Sequence, residues 1–143
     1  MKITGTKFFL IEVPRETGAI SEHLLIRIDT DAGVVGWGEL SDLAHIHPAT
    51  FPNFDALEEE INFRIAGADP LNISATMDRV GAIMPPGGHQ FESYQRGVLV
   101  ALDIGLHDLL GKILEVPVYT LLGGKRRDRI PFCYPIFPVA TPI

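Results

Sequence analysis

Two stretches near the start of the chain carry the period of a β-strand. Residues 2–13 (KITGTKFFLIEV) and 22–29 (EHLLIRID) are rich in Ile, Leu, Phe and Val, residues that suit a pleated, half-buried surface. In the second run Leu24, Ile26 and Ile28 share one face, as in a strand packed on one side. Asp31-Ala32-Gly33 then supplies turn chemistry, and Val34 to Glu39 (VVGWGE) reads as the return strand of a hairpin. The pattern predicts a three-stranded antiparallel sheet. Polar stretches with neither period follow the first strand, Pro14 to Ser21, and the third, Ser41 to Asn53.

The pattern then switches to a helical period. Asp55 is placed to cap a first helix, with Glu58 three residues on as in a capping box and Leu57, Ile61 and Ile65 as its apolar stripe. Asp69-Pro70 predicts the start of a second, since Pro is tolerated at the first helical position. Met77, Val80 and Met84 form its inward side, and Pro85-Pro86-Gly87-Gly88 stops it. The third and longest is predicted from about Glu92 to Leu114, with a wide apolar face that includes Val98, Leu102, Leu106, Leu109 and Ile113. Gly97, Ala101 and Gly105 recur every fourth residue along it, a row that lets a neighbouring backbone come close. A mid-helix Gly costs about 1 kcal/mol against Ala, so Gly105 is expected to have a packing reason. The fold class is α+β: a three-stranded meander followed by a helical bundle packed on it.

Composition narrows the picture. A chain of 143 residues fits one domain with a proper core. Its hydrophobic content of 46% against 21% charged residues is an apolar surplus, pointing to a surface that something else covers. The net charge of −6 argues against nucleic acid, whose binding needs clustered positive charge. Lys125-Arg126-Arg127, with Asp128 and Arg129 after it, reads as a solvated helix exit. Residues 98–114 are the most apolar stretch, but Asp103, His107, Asp108 and Lys112 interrupt them, which excludes a membrane span there. Met1 to Gly5 lacks the apolar core of a signal peptide, and Cys133 has no second Cys to pair with. The cytoplasm is the expected location.

The segments now in view resemble a known family. "ALDIGLHDLLGK" (101–112) followed by "VPVYTLLGGKRRDRIPFCY" (116–134) is similar to the exit of the capping domain in the enolase superfamily, in its mandelate racemase/muconate lactonizing branch. "DTDAGVVGWGE" (29–39) resembles the hairpin of the same domain. Within that branch, "VPRETG" (13–18), "SDLAH" (41–45), "LHDL" (106–109) and "CYPIF" (133–137) resemble the galactarate dehydratase subgroup. Two positions depart from the usual pattern: His107 stands where the family has Trp, and Glu115 where it has Gly. A Glu in a left-handed, helix-ending conformation costs roughly 1 kcal/mol or more.

The resemblance implies a capping domain over residues 1–128, with residues 129–143 opening a C-terminal (β/α) barrel whose first strand is "IPFCYPIF" (130–137). A barrel of that type needs about 250 residues, so most of it is expected beyond Ile143. The implied activity is that of a hydro-lyase acting on an acid sugar: a base removes the α-proton, Mg²⁺ stabilises the enediolate, and the β-hydroxyl leaves as water. The metal ligands and the base are expected in the barrel, with no catalytic residue in this chain, which is expected to be inactive alone. The implied partners are an acid-sugar substrate, the enzyme's own barrel and further copies of itself.

What falls to the cap is binding. Its two polar loops are expected to close over the barrel mouth and read the distal end of the substrate. On the first loop Arg15 is placed to fork onto a distal carboxylate, with Thr17 beside it. On the second, Asp42 and His45 are placed to hold substrate hydroxyls. Each has a plainer reading, as a solvated loop charge, a turn residue or a partly exposed His. His45 and His47 lack a third ligand of suitable spacing and are not read as a metal site. His107 is read as a hydrogen-bonded packing residue, and Trp37 and Glu39 as serving the contact between cap and barrel.

Two other functions stay open. The same generic motifs serve racemases and cycloisomerases. A small binding domain could also use the cap fold alone, although the apolar run from Phe132 to Phe137 would then be an orphan edge.

Overall fold

The computed structural model describes residues 1–16, 18–41, 43, 53–84 and 94–132. Its sheet is the predicted meander: β1 (Ile3–Pro14), β2 (Ile20–Thr30) and β3 (Val35–Leu40) lie in the order β1-β2-β3, each pair antiparallel. Ile28 of β2 sits between Thr6 of β1 and Gly36 of β3. Leu24, Ile26 and Ile28 are buried, as their alternation predicts. The second turn closes at Gly33, whose φ of 76° suits glycine and whose N–H donates to the Thr30 carbonyl. The stretch read as a polar loop from Pro14 to Ser21 is shorter than expected. Val13 pairs with Ser21 and Pro14 with Ile20, so the connection is residues 15–19.

The helices keep their predicted order but shift at their starts. Helix α1 (Phe54–Ile65) is capped by Asn53, whose side chain accepts from the backbone N–H groups of Asp55 and Ala56. Asp55 is therefore inside the first turn, where its charge suits the helix dipole. Glu58 forms no capping box. Its carboxylate leaves the helix to accept from the Phe8 N–H at 2.6 Å and from Lys7 Nζ at 3.0 Å.

Helix α2 (Ile73–Gly81) starts from Asn72, three residues beyond Asp69-Pro70. Asp69 instead accepts from the Leu71 N–H, a local turn that competes with helix. The helix stops at Gly81, ahead of the Pro85–Gly88 breaker, which lies outside the described residues.

Helix α3 (Tyr94–Ile113) matches its prediction at the C-terminal end, and the expected start at Glu92 falls outside the described residues. It ends with Glu115 at φ 55°. The Val116 N–H bonds back to Gly111 and the Glu115 N–H to Lys112, the two bonds of a Schellman exit. Glu115 thus takes the left-handed position at which the family resemblance leads one to expect Gly. One further turn, α4 (Val118–Leu121), is too short to show a period in sequence. Ile130 to Phe132, read as the start of a strand, pair with no strand among the described residues.

The core lies between the sheet and the helices. Ile26 and Ile28 from β2 meet Ile61 of α1, Val80 of α2 and Leu102 and Leu106 of α3 in one buried cluster. Helix α3 crosses β3 at backbone distance. A Cβ added to Gly38 would lie 1.8 Å from the Ala101 carbonyl oxygen, and one on Gly36 would lie 2.2 Å from that of Gly105. The Gly97, Ala101, Gly105 row therefore faces the sheet, and two glycines of β3 answer it. Gly105 has its packing reason.

Both outer strands are held by helix side chains four residues apart. On β1, Asn62 of α1 accepts from Thr6 Oγ1 and from the Thr6 N–H and donates to the Thr6 carbonyl, while Glu58 takes the Phe8 N–H. On β3, Asp108 of α3 accepts from the Trp37 N–H at 2.8 Å and Lys112 donates to the Val35 carbonyl at 3.0 Å. These groups occupy backbone positions that a further strand would need.

Candidate functional site

Strands β1 and β2 run on past the end of β3, whose last pair is Leu24 with Leu40. Beyond it, Ile11 to Pro14 and Ile20 to His23 are paired with each other as a two-stranded arm. The arm shows apolar side chains on both faces, Ile20 (58% exposed) on the face of Leu24 and Val13 (42% exposed) on the other, with the Glu12–Glu22 pair beside Ile20. A two-stranded ribbon of this kind is marginal in water by itself, so its exposed apolar side chains are suited to being covered.

Arg15 lies at the tip. Its backbone is fixed from both sides, since its N–H donates to the Ala19 carbonyl at 2.8 Å and its own carbonyl accepts from the Gly18 N–H at 2.9 Å. Gly18 makes this turn possible with a φ of 82°. The side chain is exposed but directed, because Nη2 donates to Ser21 Oγ at 2.7 Å. Ser21 is only 2% exposed, at the foot of the loop on β2. A rigid guanidinium at the end of an arm is equipped to meet a carboxylate. Thr17, Asp42 and His45 lie outside the described residues, as does His47. Of the four predicted binding residues, only Arg15 can be placed.

The sequence reading missed Ser21. It sits on the opposite face of β2 from Leu24, Ile26 and Ile28, where no apolar alternation marks it. Its only local signal is a small hydroxyl residue at the boundary between loop and strand.

A second feature lies on the far side of α3. An open, mainly apolar groove of about 590 Å³ is lined by Trp37, Ile104, His107, Val118 and Leu122, with Asp103, Asp108 and Lys112 at its polar margin. Ile104 and Leu122 are 48% and 69% exposed. Trp37 packs on Phe9, with ring centroids 5.7 Å apart. His107 is partly buried and its Nδ1 is 2.9 Å from the Asp103 carbonyl, the hydrogen-bonded packing position expected for it. Glu39 pairs across the sheet with His23 at 2.6 Å. Among the described residues no three His, Cys, Asp or Glu side chains converge as a metal would require.

Residues 10–123 match the N-terminal domain model of the mandelate racemase/muconate lactonizing enzymes. The chain belongs to that family. Its three antiparallel strands followed by helices are the N-terminal capping domain of enolase superfamily enzymes. A D-galactonate dehydratase from Verminephrobacter eiseniae is 38% identical over 110 residues, covering 75% of this chain and 26% of the relative. An N-succinyl-L-Arg/Lys racemase from Bacillus cereus is 26% identical over 154 residues, covering 99% and 38%.

Among solved structures, a mandelate racemase/muconate lactonizing enzyme homologue from Roseovarius nubinhibens, complexed with magnesium, has a TM-score of 0.71 and 25% identity. That match covers 92% of this chain and 34% of the other. An enolase from Agrobacterium radiobacter, described as a candidate galactarate dehydratase and holding sodium and L-malate, has a TM-score of 0.63 and 29% identity, covering 91% and 30%. The family thus includes dehydratases and racemases, and this chain spans roughly a quarter to two-fifths of the relatives' length. Among the described residues no helix is long and apolar enough to cross a membrane.

Proposed function

We propose that this chain is the capping domain of a Mg²⁺-dependent acid-sugar dehydratase that takes a hexarate such as galactarate. In this reading residues 1–128 are the cap and residues 129–143 begin the barrel, which supplies the metal ligands, the base and the general acid. The enzyme acts in the cytoplasm as a homo-oligomer. Its reaction is α-proton abstraction followed by loss of the β-hydroxyl as water, and Mg²⁺, when bound by the barrel, supplies charge stabilisation for the enediolate. The part played by this chain's residues is recognition and the exclusion of water.

The observation that carries the proposal is Arg15 at the tip of the β1–β2 arm, with its guanidinium directed by Ser21. A hexarate differs from an aldonate by a second carboxylate at its distal end, and a planar cation is the side chain that holds such a group in two-point contact. The relatives named for galactonate act on a monoacid by name, so a contact to a distal carboxylate would set this enzyme apart from them. The neighbour that holds L-malate, a dicarboxylate, supports a diacid site in the family. The open groove along Trp37, Ile104 and Leu122 is the face we assign to contact with the barrel, which would remove its apolar surface from water.

A racemase is the second reading, favoured by the near-complete coverage of this chain in its match to the Bacillus cereus enzyme.

The test is Arg15→Met in the enzyme carrying both cap and barrel, assayed on galactarate and galactonate with Mg²⁺ present. A charge-assisted contact contributes roughly 1.5–3 kcal/mol, so kcat/KM on galactarate should fall about 10- to 100-fold. Turnover of galactonate, which offers Arg15 nothing to hold, should barely change. Equal losses on both substrates would reduce Arg15 to a residue that shapes the loop. No loss on either would remove the case for a diacid.

A further inference from the structure

We infer that Ser21 is the positioning residue for Arg15: its buried hydroxyl fixes the direction in which the guanidinium is presented to an anionic group of the substrate. The inference rests on the reading of Arg15 as the residue that meets the distal carboxylate. The geometry is specific. Ser21 lies on β2 opposite Val13, six residues from Arg15, and is 2% exposed. A hydroxyl buried to that degree needs a hydrogen-bond partner, and it takes the Nη2 proton of Arg15 at 2.7 Å.

The backbone of Arg15 is already tied to Ala19 and Gly18. What the backbone cannot fix is the long, rotamer-rich stem of the side chain, and the Ser21 bond restrains it at the guanidinium. A side chain ordered before the substrate arrives loses less entropy on binding, so the contact should appear in affinity rather than in the chemical step. Arg15 would touch the substrate and Ser21 would act through it.

The experiment uses the full enzyme in five forms: wild type, Ser21→Ala, Ser21→Thr, Arg15→Met and the Arg15→Met/Ser21→Ala double variant. Each is assayed on galactarate and galactonate. Ser21→Ala should raise KM for galactarate about 3- to 10-fold with kcat little changed, and leave galactonate turnover at the wild-type level, which also shows that the variant folds. Ser21→Thr, which keeps a hydroxyl, should restore most of the loss. In the double variant the Ser21 change should add nothing to Arg15→Met, since residues acting through one another are not additive.

The inference is overturned if Ser21→Ala leaves galactarate kinetics unchanged. It is overturned equally if Ser21→Ala lowers activity by the same factor with and without Arg15, or damages both substrates alike. These results stand apart from failure of the reading beneath it, which would appear as an Arg15→Met variant with no selective loss on galactarate.

Discussion

Helices α1 and α3 each lie along an outer strand of the sheet and latch it with side chains, but only α3 also meets its strand backbone to backbone. Helix α3 meets β3 through what is missing: Gly36 and Gly38 on the strand, Ala101 and Gly105 on the helix, with backbone against backbone. Helix α1 meets β1 through what is added, the amide of Asn62 and the carboxylate of Glu58 reaching for the strand's own N–H and C=O groups. The first contact is steric and has no slack, because an interior packed at crystal-like density cannot open by one carbon without moving a helix. The second is directional, and its loss leaves unpaired polar groups in an otherwise intact frame.

The sharpest way to break this contrast is Gly38→Ala. A Cβ there would stand 1.8 Å from the Ala101 carbonyl oxygen, so α3 must shift off β3, at a cost of about 3 kcal/mol or more. A urea midpoint within error of wild type, measured in the enzyme carrying this domain, would show that the seam can open.

Asn62→Leu tests the other side. It keeps the volume and removes both partners of the Thr6 backbone, which should cost about 2 kcal/mol. Because β1 would gain an open edge, the variant should also aggregate more readily on partial unfolding, readable by light scattering. A loss as large as that of Gly38→Ala would erase the distinction between the two contacts.

Glu115→Gly should have the smallest effect, and the opposite sign. It touches neither contact and only relieves the left-handed φ of 55° at the α3 exit. The expected gain is about 1 kcal/mol, seen as a higher urea midpoint with unchanged slope. A loss would mean that the Glu115 side chain has a role that its backbone angle does not reveal.

How much of this was legible depends on the range over which each signal acts. The alternation of Leu24, Ile26 and Ile28 and the spacing of Gly97, Ala101 and Gly105 are local patterns imposed by a buried face, and both read correctly. Helix starts were less legible because Asn53 and Asp55, or Asp69 and Asn72, are equally good caps by type, and only the fold decides between them. The latches to β1 were invisible. Glu58 reads as half of a capping box, and its true partner Phe8 is fifty residues away. Helix α4 is one turn long and carries no period. At the candidate site Arg15 was legible as a loop cation, but its direction was not, since that depends on a serine six residues on.

The latches on β1 end at Phe8, and β3 ends opposite Leu24. From there to Arg15 the arm is a cantilever, clamped at its root and loaded at its tip. Four residues of strand reach roughly 13 Å, so a tilt of about 10° at the root carries the tip about 2 Å. That stroke is comparable to the difference between a hydrogen bond made and one lost. Whatever presses on the arm's apolar sides near Val13 and Ile20 therefore works on Arg15 with leverage, and the fit of the surrounding surfaces becomes an adjustment screw for the cation at the end.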